Sequence, residues 1–312
     1  MIDYRKRIRV AAAVDAALAL LVALGLVLSP GSSSSKAARR DLLGDASAVA
    51  SIRISGDDPV ELVKDGDAWE AVDGEGRLPA DAARVAAFIR AVDSIEKAEP
   101  VAKDPSSRPA LGLGDGAREV TMMDGGGKAL CAFTLGSYAS SPGTVYISIG
   151  AGPESYAVAS GMASYVLGKR SSWLDLRAWS SPPAPDAVEE LVARGSMAGA
   201  DGAAVSLDYT ITRSGKGWTS GGEALDAMKV DAMIRAIAAL RGDDYAAAAE
   251  PAGDAAVELE LRLGNGRNLS LAVEAARADG RYPARSSQRD RGMYLPAWSL
   301  TEALKPLAEL RP

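Results

Sequence analysis

Several short stretches of this chain carry residue types that could do chemistry. "DGGGK" (124–128) sets three Gly before a Lys, the ingredients of a phosphate-cradling loop. Such a loop needs its Lys-Ser/Thr to open a helix. Here Lys128 opens the strand-like "ALCAFTLG", so the stretch reads as a hairpin turn. "GLGDGA" (112–117) has the glycines of a dinucleotide fingerprint, but it precedes a strand instead of linking a strand to a helix. "DGDAWEAVDGEG" (65–76) is acidic enough for calcium. It lacks three alternating oxygen ligands followed by Gly, and reads as a solvated hairpin rim. Ser94 and Lys97 form S-x-x-K without the companion motifs of penicillin-binding enzymes. A glycosidase needs only two carboxyls at a set separation, yet no pair among the many Asp and Glu is singled out.

Composition removes further classes. The 312 residues contain no His, which excludes His-based acid–base catalysis, the Ser-His-Asp triad and His metal ligands. Cys131 is the only Cys, so no intrachain disulfide forms; it shares a strand face with Phe133 and Leu135 and reads as a buried, inert thiol. No catalytic, cofactor-binding or metal-ligating residue is assigned, no cofactor is expected, and the chain reads as a non-enzyme.

Charge is uneven. Residues 1–40 hold seven Lys/Arg against Asp3 and Asp15, leaving 28 basic and 39 acidic residues in the remainder. So acidic a body is a poor nucleic-acid binder. Against that background "RYPARSSQRDR" groups Arg281, Arg285, Arg289 and Arg291, either a solvated hairpin or a docking surface for an acidic partner or anionic glycan.

The elements that must position these residues begin with an anchor. "RKRIR" (5–9) precedes twenty mostly apolar residues, 10–29. As a helix they span about 30 Å, the hydrocarbon thickness of a bilayer. The basic cluster predicts a cytoplasmic N-terminus, residues 1–9, with the rest extracytoplasmic. A cleaved signal peptide is the rival, but its apolar region is normally about 7 to 15 residues. Asp15 lies in the second turn. At a helix centre its charge would cost about 2.5 to 3.5 kcal/mol, less near an end; it is either tolerated there or contacts a partner's transmembrane helix. "SPGSSSSKAARR" then starts a polar tether, 30–48.

Beyond the tether the chain says the same thing twice. "VELVKDGDAWEAV" reads as a hairpin around a charged turn with a Trp after it, and "YTITRSGKGWTS" does likewise. Each is followed by an amphipathic helix, "LPADAARVAAFIRAVDSI" with Pro79 near its start, and "DAMKVDAMIRAIAAL". "REVTMMDGGGKALCAFTLG" and "VELELRLGNGRNLSLAV" are paired strands around Gly-rich turns; in the second, Val257, Leu259, Leu261 and Leu263 share one face. "TVYISI", "SYAVAS" and a helix "GMASYVLGK" are echoed by "GRYPARS", "GMYLPA" and a helix "SLTEALKPLAEL", with Tyr156 corresponding to Tyr294. The expected fold class is α+β: a transmembrane helix, then two tandem copies of a mainly antiparallel sheet with packed helices, at 49–176 and 187–312. A Pro-rich joint, 177–186, separates them. Trp173 and Trp179, both in the connecting stretch "SSWLDLRAWSSPPAPD" (171–186), predict a packed seam whose groove is a place for a ligand.

This order of "ELVKDGDAWEA", "LPADAARVAAFIRAV", "ALGLGDGAREVTM", "FTLG" and "KRSSWLDLRAW" resembles domain of unknown function 4340, a bacterial family of single-pass envelope proteins encoded beside gliding-type ABC transporter genes. The resemblance covers most of the first copy, and the second more loosely. It implies an accessory role at the cytoplasmic membrane, with a transporter permease or ATPase or associated envelope proteins as partners, and it supplies no active site. The expected function is a membrane-anchored, extracytoplasmic, non-catalytic accessory subunit of an ABC-type export or gliding-type system. The alternatives are an envelope ligand- or glycan-binding module, or a carboxylate-dependent envelope hydrolase.

Overall fold

The computed structural model describes residues 38–39, 42–95, 97–198, 204–215, 217–250 and 252–312. The expected anchor at 10–29, with Asp15, lies outside them. Among the described residues no helix is long and apolar enough to cross a membrane.

The first half runs β1 (Ala38–Arg39), β2 (Ser51–Ile54), β3 (Val60–Asp65), β4 (Ala68–Asp73), β5 (Gly76–Pro79) and helix α1 (Ala82–Asp93). It continues through β6 (Lys97–Ala102), β7 (Arg118–Met123), β8 (Ala129–Tyr138), β9 (Thr144–Ile149), β10 (Ser155–Ala159) and a short α2 (Ala163–Val166). The second half opens with β11 (Val188–Ala198), β12 (Ala204–Ser206), β13 (Tyr209–Ser214), β14 (Gly217–Ser220), β15 (Glu223–Leu225) and α3 (Ala227–Ala238). It ends with β16 (Asp244–Tyr245), β17 (Ala255–Leu263), β18 (Asn268–Glu274), β19 (Arg281–Ser286), β20 (Met293–Pro296) and α4 (Ala297–Ala303). The structure is α+β, with mainly antiparallel sheets.

These elements form two compact units that are not contiguous in sequence: residues up to Val60 with Ala86–Gly168, and Glu61–Val85 with Lys169–Pro312. In the first unit the strands lie in the order β1-β6-β10-β9-β8-β7-β2. Alternation sets the buried face: Val120 and Met122 of β7, Cys131, Phe133 and Leu135 of β8, and Val145 and Ile147 of β9 point to the core. Phe88 of α1 meets the Tyr165 ring at 5.7 Å between centroids.

In the second unit β3, β4 and β5 form an antiparallel meander. The second sheet runs β15-β14-β13-β11-β17-β18-β19-β20-β16, with β12 on the far end of β11. Strand β17 is the plainest case of pattern becoming structure. Val257, Leu259, Leu261 and Leu263 are buried, while Glu258, Glu260 and Arg262 are exposed. Helix α3 buries Val230, Met233, Ile234 and Ile237, and Asp226 caps it by accepting from the N–H groups of Met228 and Lys229 at 2.9 and 3.2 Å.

Apart from β1 and β12, which have no counterparts, the two orders correspond strand for strand. The run β6-β10-β9-β8-β7-β2 matches β16-β20-β19-β18-β17-β11, and the meander β3-β4-β5 matches β13-β14-β15. Trp69 is the second residue of β4 and Trp218 the second of β14; each faces a basic residue across the hairpin, Lys64 and Arg213. Tyr156 and Tyr294 are likewise second in β10 and β20.

Local departures from the sequence reading have local causes. Pro79 closes β5 opposite Glu70 instead of opening the helix. Asp81 takes the helix start, accepting from Arg84 N at 3.1 Å. "AAVSLDYTITR" is broken into β12 and β13, because Asp208 turns its carboxylate onto Gly195 N at 3.1 Å. "SLTEALKPLAEL" ends as a helix at Ala303: Leu304 is extended, and Pro306, which cannot donate within a helix, stands at the start of a separate 3-10 turn over Leu307–Leu310.

Trp218 is 2% exposed; its indole N–H donates to Asp231 at 2.8 Å, and the Arg213 guanidinium lies 4.1 Å from its ring centroid. Trp69 is buried too, at 9% exposure. Replacing Trp218 with Ala should cost about 3 to 5 kcal/mol, the range for a buried aromatic. Trp218→Phe keeps much of the volume and should cost clearly less. Urea unfolding midpoints of the two variants against the parent check this ranking.

Candidate functional site

The segment from Arg170 to Ser181, "RSSWLDLRAWSS", has too many apolar residues for a loop and no regular strand or α-helical period. A short 3-10 turn over Arg170–Trp173 starts it. Backbone bonds hold the remainder on both sides. Asp81 N donates to Trp173 O and Asp175 N to Pro79 O, both at 2.8 Å, so the segment lies along the end of β5. Ala178 N then donates to Leu240 O at 2.9 Å, and Gly242 N to Leu176 O at 2.8 Å, which ties it to the exit of α3.

Both joint tryptophans are fully buried, as are Leu174 and Ala178. Arg84, near the start of α1, sits 5.1 Å from the Trp173 ring centroid. Trp179 donates its indole N–H to Ile237 O at 2.7 Å, near the last turn of α3. Each ring therefore packs on a different helix, and at these residues the joint is filled with side chains.

Asp175 is the one buried carboxylate among the described residues. Arg177 donates to it through Nε and Nη2 at 2.7 and 2.8 Å, and Arg289 through Nη2 at 2.8 Å. Arg289 also donates from Nε to Arg177 O at 3.0 Å, and the Tyr245 hydroxyl donates to Asp175 O at 2.7 Å. Burial opposes the Asp175 charge, but the hydrogen bonds from Arg177 and Arg289 outweigh it and pull the carboxyl down to about 2. Burial pushes the Tyr245 phenol up, and the Cys131 thiol up to about 11, leaving that thiol inert near neutral pH.

The four arginines of residues 281–291 are drawn into different bonds. Arg281 pairs with Asp279 at 2.7 Å and lies 4.3 Å from the Tyr294 ring centroid. Arg285 donates through Nη2 to Glu250 O at 2.9 Å. Arg289 belongs to the Asp175 cluster. Arg291 pairs with Glu75 at 2.8 Å and stands 3.8 Å from Asp73, which Arg170 holds at 2.7 Å. Arg285, Arg289 and Arg291 line one cleft of about 410 Å³, together with Glu75, Arg77 and Gln288. The Tyr294 hydroxyl donates to Glu250 at 2.6 Å, and Arg277 pairs with the same carboxylate. Among the described residues no group of three or more His, Cys, Asp or Glu is placed to hold a metal ion.

Sequence reasoning picked out the arginines and tryptophans and missed Asp175, Glu75 and Tyr245. One signal was available for Asp175: in "WLDLRAW" a single Asp and Arg sit two apart within an apolar run, as an interior ion pair would.

A family model described as Domain of unknown function (DUF4340) matches residues 69–259, more than half of the chain. The chain belongs to the DUF4340 family. The match starts at Trp69 in β4 and ends at Leu259 in β17, so the DUF4340 unit takes in the whole joint with Asp175 and both tryptophans. No curated protein and no solved structure matches the chain.

The Asp175 cluster makes a stability prediction for this DUF4340 chain. Its folded pKa is depressed from 3.8 to about 2, so its contribution is fully present above the unfolded value and is lost as pH falls through the folded one. Asp175→Asn removes that contribution and leaves Arg289, 7% exposed, without its carboxylate. Breaking such a pair should cost about 3 to 5 kcal/mol at neutral pH. The parent's margin over the variant should shrink between about pH 4 and pH 2. Denaturant melts across that window measure both effects.

Proposed function

We propose that this DUF4340 chain is a membrane-anchored, extracytoplasmic, non-catalytic subunit of an ABC-type export or gliding-type system. Residues 10–29 serve as the single-pass anchor with a cytoplasmic N-terminus. The observation that carries the reading is the basic "RKRIR" directly ahead of twenty mostly apolar residues, on a chain whose described residues fold into sheet-rich units. Family membership supports it, since the resemblance to that family carries an association with transporter genes.

We read the body as a duplication, 49–176 and 187–312, linked through 177–186. The strand-for-strand correspondence supports this, as do the equivalent Trp and Tyr positions. A subunit of this kind presents surface instead of turnover. Its one buried carboxylate among the described residues, Asp175, is engaged by Arg177 and Arg289, and the half-buried Asp73 and Glu250 are engaged by Arg170 and Arg277. Asp175, held charged by its two guanidinium partners, is a poor proton donor at neutral pH.

Tagged full-length protein, extracted from native membranes in a mild detergent, should co-purify with a transporter permease or ATPase. A variant with residues 10–29 replaced by a cleavable secretion signal should lose most of that recovery. Isolation of the full-length protein alone, both with and without prior crosslinking, would refute the assignment.

A further inference from the structure

We propose that the arginine-lined cleft of the second unit is a binding site for a small soluble oxyanion, a carboxylate or phosphate, and that Glu75 occupies it as an internal stand-in. The site is one cation and one backbone N–H converging on a single carboxylate oxygen. Glu75 Oε2 accepts from Arg291 Nη2 at 2.8 Å and from Ala248 N at 2.7 Å. That pairing of a guanidinium with a main-chain donor is how proteins hold free carboxylates and phosphates.

Three observations mark the place as more than a surface ion pair. The first is preorganisation. Arg291 is 16% exposed in its side chain, and Asp73, 3.8 Å away, is itself held by Arg170. Arg289 beside it is fixed by Asp175. Gln288 is fixed through its carbonyl, which accepts from Ser181 N at 2.9 Å and Ser180 Oγ at 3.2 Å. The Gln288 amide NH₂ is thereby left as a donor on the cleft wall. The second is spare capacity. Arg285 lines the same cleft with a second guanidinium, whose Nη2 donates to Glu250 O at 2.9 Å. A guanidinium carries five N–H donors, so it has donors to offer an entering oxyanion beyond that bond.

The third is the way Glu75 is mounted. Its side chain is half exposed, and it rides on the β4–β5 turn between Gly74 and Gly76. Gly76 has φ +134°, and a Cβ on either glycine would meet nothing within 4 Å. Asp73 holds the turn itself by accepting from Glu75 N at 2.8 Å, so it is the half-exposed Glu75 side chain that swings out. The facing charges are Arg77, Arg285, Arg289 and Arg291 against Glu75 and Asp290 on the cleft, with Asp73 and Asp175 behind. Arg77 is shared with Glu70 at 3.0 Å. Among the groups that line the cleft itself, four arginines face Glu75 and Asp290, so losing the Glu75 carboxylate makes an already cationic wall more so. Since the internal carboxylate must leave first, apparent affinity is lowered by the fraction of molecules in which it is bound.

This inference is independent of the accessory-subunit reading. The test uses full-length protein in detergent at low ionic strength, titrated calorimetrically with inorganic phosphate and, separately, malonate. At least one of the two should bind saturably to the Glu75→Gln variant, about tenfold more tightly than to the parent. The arm that binds assigns the ligand as phosphate or carboxylate. Adding Arg291→Ala to Glu75→Gln should abolish the gain, and Arg285→Lys, which keeps the charge but not the planar fork of donors, should weaken it. Thermal melts confirm that each variant is folded. Should Glu75→Gln bind neither anion, or should Arg285→Lys and Arg291→Ala both leave its binding unchanged, the site does not exist.

Discussion

Asp175 is the point on which the second unit turns. One carboxylate receives a forked bond from Arg177, two residues away, and a third bond from Arg289, more than a hundred residues away. Its main chain meanwhile accepts from Tyr245 and donates to Pro79. The residue thus joins the end of the first meander, the joint and two separate parts of the second sheet. A charge buried so deeply is tolerable only because every strong acceptor position is used. The register of the joint is set by this anchoring: with Asp175 fixed, Trp173 must fall to one side and Trp179 to the other, each reaching its own helix.

That arrangement changes what a charged sequence means. Forty-one acids and thirty-five bases suggest a surface strewn with solvated side chains. In the second unit many of them are instead sorted into pairs across long sequence separations. Arg291 reaches Glu75, Arg170 reaches Asp73, and Arg241 reaches Asp81 at 3.6 Å. Partly exposed pairs of this kind contribute little stability each. They do define which surfaces meet, because the wrong register would leave like charges opposed.

Elements with a simple period were legible in the sequence. The β17–β18 hairpin and α3 came directly from alternation and from helical spacing, and so did the pairing of each Trp with a charged turn. Strand β11 was not read at all. A register shift between Val188 and Glu190 adds a residue, so Val188 and Leu191 are buried at a spacing that suggests a helix. Strands β5 and β15 are only four and three residues long, too short to show a period. The arginines stood out by type, as did the joint tryptophans by size. Their partners did not, because Asp175 and Glu75 are ordinary acids until the chain brings distant segments beside them.

The interleaving of the two units bears on how the chain is made. Residues 61–85 leave the ribosome early, yet they belong to a body completed by residues 169–312. The first unit has every one of its described strands once residue 168 has emerged, and can close while the meander β3–β5 still waits. Over that interval Leu62, Trp69 and Leu78, all buried in the finished protein, have no completed core of their own. Apolar side chains left without a core at such a stage are where partly made chains aggregate or meet chaperones. The last strands to be synthesised, β19 and β20, set the moment at which Arg289 and Arg291 arrive to lock it in place.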